Sequence, residues 1–351
     1  MLKLILGCKN TMNKIIEEDT NFIFTQLKNI VDLSKLNNSN ILITGGTGLF
    51  GKLFLDTFLF LNDKLNLNIK ITVLTRNYES FIKKYKRYID KNIDFVNGDI
   101  RNFEIHNENI DYCLHFAASV DPNLEKNNPN EMASIILDGT KNLIKKLEKY
   151  NIKRLLFTSS GAVYGEQYQS IKSFKEDYQG IPITYYGKAK KISENIFLNS
   201  NINVSIARCF AVTGPHLNLN IHFAIGNFIK DAIENRDIII NGDGRPLRSY
   251  LYTADLVIWL LAILLKSENK SIYNVGGRNG ISIYDLAKKV SKQVNNYTGK
   301  VDILTKSNYN YPTPKYIPNN KKIIKELGVK ENYTLDEAIK RTIEWNLIID
   351  K

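Results

Sequence analysis

Cysteine is scarce in this 351-residue chain: Cys8, Cys113 and Cys209 are odd in number and scattered. That excludes a disulfide framework and fits a reducing compartment. No apolar run reaches the ~18 residues of a membrane span. The opening MLKLILGCKN has one lysine and a short apolar run but no small-residue cleavage site, so it does not read as a signal peptide. A cytoplasmic protein with no membrane partner is expected. Histidine is scarce too. His115, His216 and His222 fit no zinc spacing and no cysteine pair joins them, so they read as structural and no metal is expected. Internal repeats and low-complexity linkers are absent.

Acidic charge is also short, with 36 Asp and Glu against 48 Lys and Arg, a net +12. Such an excess invites a nucleic-acid reading. The lysines, however, are spread along the chain, as in NLIKKLEKYNIKR and LAKKVSKQV, between the apolar positions of amphipathic helices. They read as solvated helix faces, with some general attraction for anionic ligands, and no nucleic-acid partner is expected.

What is present is an ordinary soluble balance, 43% hydrophobic and 24% charged, with length enough for a large core. Residues 12–36 read as a helix outside the main pattern, ended by LNNSN. From Ile41 a βαβ rhythm begins, with strand-like runs at 41–44, 69–75, 93–99, 111–119, 154–160 and 204–210. Buried Ile, Val, Leu and Phe runs alternating with helices imply an α/β fold, a doubly wound parallel sheet covered on both faces. After Gly214-Pro215 the elements shorten. Helices are expected at 222–235, 254–267 and 281–294, with strands near 237–244 and 272–277, as a smaller C-terminal α/β lobe. The division is 1–38, a helical extension; 39–210, a Rossmann-type domain; and 211–351, mainly a substrate lobe.

NILITGGTGLFGKLFL, residues 40–55, sets Gly45, Gly48 and Gly51 between the first strand and a helix. There the free N–H groups and positive end of the helix favour a phosphate, and missing side chains let it approach. The spacing differs by one residue from the dinucleotide fingerprint; a purely structural turn is the plain alternative. NGD places Asp99 beside an adenine after the third strand, or makes it a turn residue. HFAAS closes the fourth strand with small residues suited to a cofactor's close approach. At the end of the second strand, VLTRN offers Arg76 where an NAD site usually has an acid. Arginine cannot accept from a ribose hydroxyl but pairs with a 2′-phosphate, which favours NADP. The alternative is a surface arginine, with NAD held by backbone contacts.

TSSGAVYG and YYGKAKKISE carry the chemistry. Tyr186 and Lys190 share a helical face four residues apart. A lysine ammonium near the phenol should lower its pKa. Such a tyrosine exchanges a proton with a sugar hydroxyl as hydride moves on the same carbon. Ser160, at a strand end, is placed to bond the same oxygen. An exposed helix pair is the alternative.

These motifs, with RCFAVTGP, GDGRPLRSYLYTADL and YNVGG, run in order from about residue 40 to the C-terminus. The chain resembles the extended short-chain dehydrogenase/reductases of the nucleotide-sugar epimerase/dehydratase family. The resemblance implies a Rossmann domain for NAD(P), a lobe for a nucleoside-diphosphate sugar, and a homodimer built from Rossmann-domain helices. By position it implies Ser160, Tyr186 and Lys190 as catalytic. It adds Thr47, Leu49, Phe50, Ile100, Phe116, Ala117 and Ala118 to the cofactor site. Ser119, Gly161, Ala162, Asn227 and Arg248 fall on the substrate side, Arg248 holding the diphosphate. Family dehydratases carry Asp-Glu directly after the position of Ser160, and related decarboxylases a Glu at that of Ala162; here Gly161 and Ala162 supply no acid or base. Ile136 and Ala211 replace customary asparagines, so substrate is expected to sit differently than in common 4-epimerases. The expected function is reduction of a nucleotide 4-keto-sugar. The alternatives are 4-epimerisation with tightly bound NAD(P), and a non-catalytic NAD(P)-binding protein.

Overall fold

The computed structural model describes residues 14–89, 91–107, 109–220, 223–306 and 312–349; Cys8 and His222 lie outside them. Seven strands form the central sheet: β1 (Asn40–Thr44), β2 (Lys70–Thr75), β3 (Ile93–Asn97), β4 (Tyr112–His115), β5 (Arg154–Ser160), β6 (Val204–Cys209) and β7 (Ile272–Val275). Their order is β7-β6-β5-β4-β1-β2-β3 and every pair is parallel. Successive side chains of a strand face opposite ways. Thus Ile41 and Ile43 enter one core with Phe54 and Phe58 of α2 (Leu49–Leu65). Leu42 enters the other, with Leu143 and Leu147 of α3 (Pro129–Leu147) and Phe197 of α4 (Tyr185–Leu198). Burial on both faces is why these strands read as unbroken apolar runs.

The chain winds outward from β1 to β3, then crosses to β4 on the other side of β1. That reversal opens a crevice at the carboxyl ends of β1 and β4, the place where doubly wound sheets bind ligands. Four elements differ from expectation. The fourth strand spans only Tyr112–His115, because Phe116 and Ala117 turn across the end of β1, their N–H groups donating to Thr44 O and Oγ1 at 3.0 and 3.3 Å. The helix expected at 12–36 is α1 (Lys14–Leu27) followed by a separate 3₁₀ turn at Leu33–Leu36, which Asp32 caps by accepting from Ser34 N–H. Finally, α5 (Thr253–Lys266) and β7, expected in the smaller lobe, belong with the large sheet: β7 pairs with β6, and α5 packs in the same core as α2. The smaller lobe keeps a helix at Ala224–Ile233, a parallel pair Ile238–Ile240 with Val301–Ile303, and a three-stranded sheet through Leu247–Arg248. No helix among the described residues is long and apolar enough to cross a membrane.

Candidate active site

The glycine turn leaves β1 through Gly45, whose φ of +69° is costly for any side chain; a Cβ there would also lie 2.7 Å from Ala117 N. Gly48 caps α2 with no side-chain hydrogen bond, so the helix's first N–H groups stay open to a ligand. Gly51 packs the first turn of α2 onto Gly46, where a Cβ would meet backbone at 2.2 Å. Open backbone N–H groups and the helix's positive end make this turn a cradle that could hold a phosphate group.

Around it, Thr47 Oγ1 faces Thr75 Oγ1 at 3.4 Å, and Phe50 packs edge-on to Phe116 with centroids 5.8 Å apart. Leu49, Phe50, Phe116, Ala117, Ala118 and Ser119 are all half-buried along this crevice. Ile100 is buried against Gly139. Arg76, the residue after β2, is exposed, with no ion pair among the described residues. Asp99 is already engaged: Arg101 donates to both its oxygens, at 2.8 and 2.9 Å. That pairing holds its carboxyl below the ordinary range, with Arg76 adding a smaller pull of the same sign.

On the other side of the crevice, β5 delivers Ser160 and α4 delivers Tyr186 and Lys190. Thr184 caps α4 by accepting from Gly187 N–H at 3.0 Å, and Glu125 accepts from Tyr186 N–H at 2.9 Å. Lys190 is buried; its Nζ donates to Thr158 O at 2.8 Å and lies 5.8 Å from the Tyr186 ring centroid. Burial brings Lys190 down to about 8. The Tyr186 phenol departs from expectation. Burial and then Tyr316 push it above its ordinary value, against a hydrogen bond with Ser160. The lysine hydrogen-bonds a backbone carbonyl rather than the phenol, so desolvation decides the sign.

One turn past Lys190, Glu194 accepts from Arg208 Nε and Nη2 at 2.9 and 2.8 Å and from Ser159 Oγ at 2.6 Å. This buried clamp ties α4 to β5 and β6. Its signal was in the sequence, since Tyr186, Lys190 and Glu194 repeat every four residues. Tyr316 gave none. It lies in the strand Lys315–Tyr316, yet its hydroxyl is 3.4 Å from Ser160 Oγ. A Cβ on Gly161 would fall 2.6 Å from the Phe210 ring and 2.7 Å from that hydroxyl. Arg248, beside the Tyr316 ring at 5.9 Å, has no carboxylate partner among the described residues, and burial lowers its pKa. A sequestered cation without a counter-charge invites an anion. Asn227 is exposed in the first turn of its helix and has no side-chain hydrogen bond among the described residues.

His115 and His216 are both buried. His115 Nδ1 is 2.7 Å from Thr44 Oγ1, and His216 Nε2 is 2.9 Å from Asp56, which Arg87 and Tyr88 also bond.

The sequence model of the NAD dependent epimerase/dehydratase family matches residues 41–276. The chain belongs to that family. Among relatives of this epimerase/dehydratase chain, UDP-glucuronic acid decarboxylase 1 of Xenopus tropicalis is 26% identical over 326 residues, 89% of this chain and 73% of that protein. The dTDP-D-glucose 4,6-dehydratase of Mus musculus is 29% identical over 271 residues, 73% of this chain and 74% of that protein. The same fold occurs in the UDP-glucose 4-epimerase of Thermotoga maritima, solved with UDP-glucose. It is 22% identical, with a TM-score of 0.74 over 89% of this chain and 100% of that one.

Proposed function

We propose that the chain is an NAD(P)-dependent oxidoreductase of a nucleoside-diphosphate sugar, exchanging hydride at one ring carbon, the 4-position, without eliminating water or releasing carbon dioxide. One observation carries this reading: Ser160 and Lys190 flank the Tyr186 phenol, beside a Gly161 where a side chain would press on the Phe210 ring and the Tyr316 hydroxyl. The acid pair of a dehydratase has no place there, and Ala162 offers no decarboxylase glutamate.

A bound nicotinamide supplies or accepts the hydride. Tyr186 gives its proton to the carbonyl oxygen in reduction and takes it back in oxidation. Ser160 bonds the same oxygen, and Lys190 favours the phenolate left behind. Arg248 grips the diphosphate through its planar fork. Helices α3 and α4, packed side by side, are the proposed dimer face.

Arg76 favours net reduction of a 4-keto-sugar by NADPH. Family membership favours a second reading, 4-epimerisation, since the closed Gly161 removes the dehydratase half of the family's chemistry. The test is dTDP-4-keto-6-deoxyglucose with NADPH, followed by loss of reduced-cofactor absorbance, alongside UDP-glucose with NAD, followed by NMR. Stoichiometric oxidation of NADPH establishes the reductase. Sugar interconversion without net cofactor change establishes the epimerase. Neither outcome, with cofactor still bound, leaves a binding protein. If Arg76 pairs with a 2′-phosphate, NADPH binds about 10- to 100-fold more tightly than NADH, the worth of one charge-assisted bond of roughly 1.5–3 kcal/mol. Arg76→Ala should erase most of that ratio; equal affinities in the unmodified protein would refute the pairing.

A further inference from the structure

The loop after β3 is anchored on both sides. Gly98 N–H donates to Thr75 O at 2.8 Å, which sets the loop at the end of β2, where Thr75 already faces Thr47 of the glycine turn. Ile100 is buried against Gly139 of α3, and Asn142 of that helix donates to Ile100 O at 2.9 Å. Between these anchors lies Asp99, and one residue supplies the bonds to its carboxylate. The Arg101 backbone N–H and Nε donate to Oδ1 at 2.9 and 2.8 Å, and Nη2 donates to Oδ2 at 2.9 Å. Every donor is an N–H, so the direction of each bond is fixed. The guanidinium is held on its far side too, where Nη1 donates at 2.9 Å to Glu131 Oε1, in the first turn of α3.

A carboxylate offers about four acceptor positions, two on each oxygen. Arg101 takes both on Oδ1 and one on Oδ2. We propose that Arg101 is a positioning residue that makes Asp99 selective for adenine: it leaves a single acceptor, on Oδ2, for the 6-amino group of the base. The proposal rests on the reading of the crevice as an NAD(P) site, with the base beside Asp99. Adenine carries a donor at its 6-position. Hypoxanthine has a carbonyl oxygen there and its N–H one atom round the ring, at N1. A freely turning carboxylate follows the donor and accepts from either base. One gripped along its edge by a planar fork does not turn, and it meets the 6-oxygen of hypoxanthine lone pair against lone pair. The same bonds keep the Asp99 carboxyl ionised, below its ordinary range, and therefore an acceptor only.

The test is calorimetric binding of NAD and of nicotinamide hypoxanthine dinucleotide, without sugar substrate. The unmodified protein should favour NAD about 10- to 100-fold, the worth of one hydrogen bond to a charged group. In Arg101→Ala that ratio should shrink about 2- to 10-fold, the cost of immobilising on binding a side chain no longer held in advance. Arg101→Lys, which keeps the stem and the charge but not the fork, should shrink it likewise. In Asp99→Ala the preference should be gone, and adding Arg101→Ala should leave the ratio where it is. A loss shared equally by both dinucleotides would overturn the proposal, because a residue that only braces the loop does not read the base. A full ratio in Arg101→Lys, or a ratio that still responds to Arg101→Ala once Asp99 is gone, would overturn it as well. Equal affinities in the unmodified protein refute the selectivity and leave the cofactor reading standing. Failure to bind either dinucleotide removes the cofactor reading, and this role of Arg101 with it.

Discussion

Tyr185 and Tyr186 are neighbours in sequence with opposite surroundings. Tyr185 is 49% exposed, with the Lys188 ammonium 5.4 Å from its ring centroid, outside the crevice. Tyr186 faces Ser160 and Lys190. Tyr186→Phe should therefore lower turnover by about 10² to 10⁴, the range general acid–base catalysis supplies, and leave cofactor affinity nearly unchanged. Tyr185→Phe should keep most activity; the reverse result would misplace the proton donor. A second residue-scale prediction concerns pH. Burial, aided by the Lys190 charge, holds His115 down at about 3. In the unfolded chain it titrates near 6.5. Between those values the unfolded state takes up a proton that the native state refuses, so stability is full above about pH 6.5 and falls as pH drops toward 3. At pH 5 the loss is about 2 kcal/mol. Melting temperatures at pH 7 and pH 5 should show it. In His115→Asn, whose amide can keep a polar partner for Thr44 Oγ1 but does not titrate, the drop should be smaller.

Among elements, α1 has the clearest energetic signature. Its Asp19 is buried and accepts from Tyr252 Oη at 2.6 Å and Arg341 Nη2 at 2.7 Å, joining the N-terminal helix to the start of α5 and to the helix Leu335–Ile349. Asp19→Ala leaves the buried Tyr252 hydroxyl without its acceptor while Arg341 keeps Glu18 at 3.0 Å, so it should cost about 1–3 kcal/mol in urea unfolding. An unchanged midpoint would make α1 an appendage. Elements were legible where a single physical cause acts locally. Parallel strands buried on both faces show as apolar runs, and the glycine turn shows because at residue 45 a φ of +69° coincides with backbone too close for a Cβ. What stayed hidden depends on tertiary partners. IYNV reads as a strand, but nothing in it says that it joins β6. Tyr316 lies 156 residues from Ser160, and its neighbours carry no periodic sign of a site. Asp99 reads as an adenine partner, and nothing in NGDI says that Arg101, two residues on, also bonds both its oxygens.

For the whole molecule, association is the property most open to measurement. Ile192, on α4, is 47% exposed. If α3 and α4 form the dimer face, sedimentation should give twice the chain mass, and Ile192→Asp should shift it to one chain without loss of helical signal. A monomeric parent protein would remove the dimer from the proposal. The joining of β7 to the outer edge of β6 bears on how the chain is made. About 60 residues separate the two strands. A ribosome adding about 5–20 residues per second leaves that edge unpaired for roughly 3–12 s, and an open edge is a template for pairing with other chains. Much of the smaller lobe emerges in that interval, so the nascent protein must begin its second lobe before the first has closed.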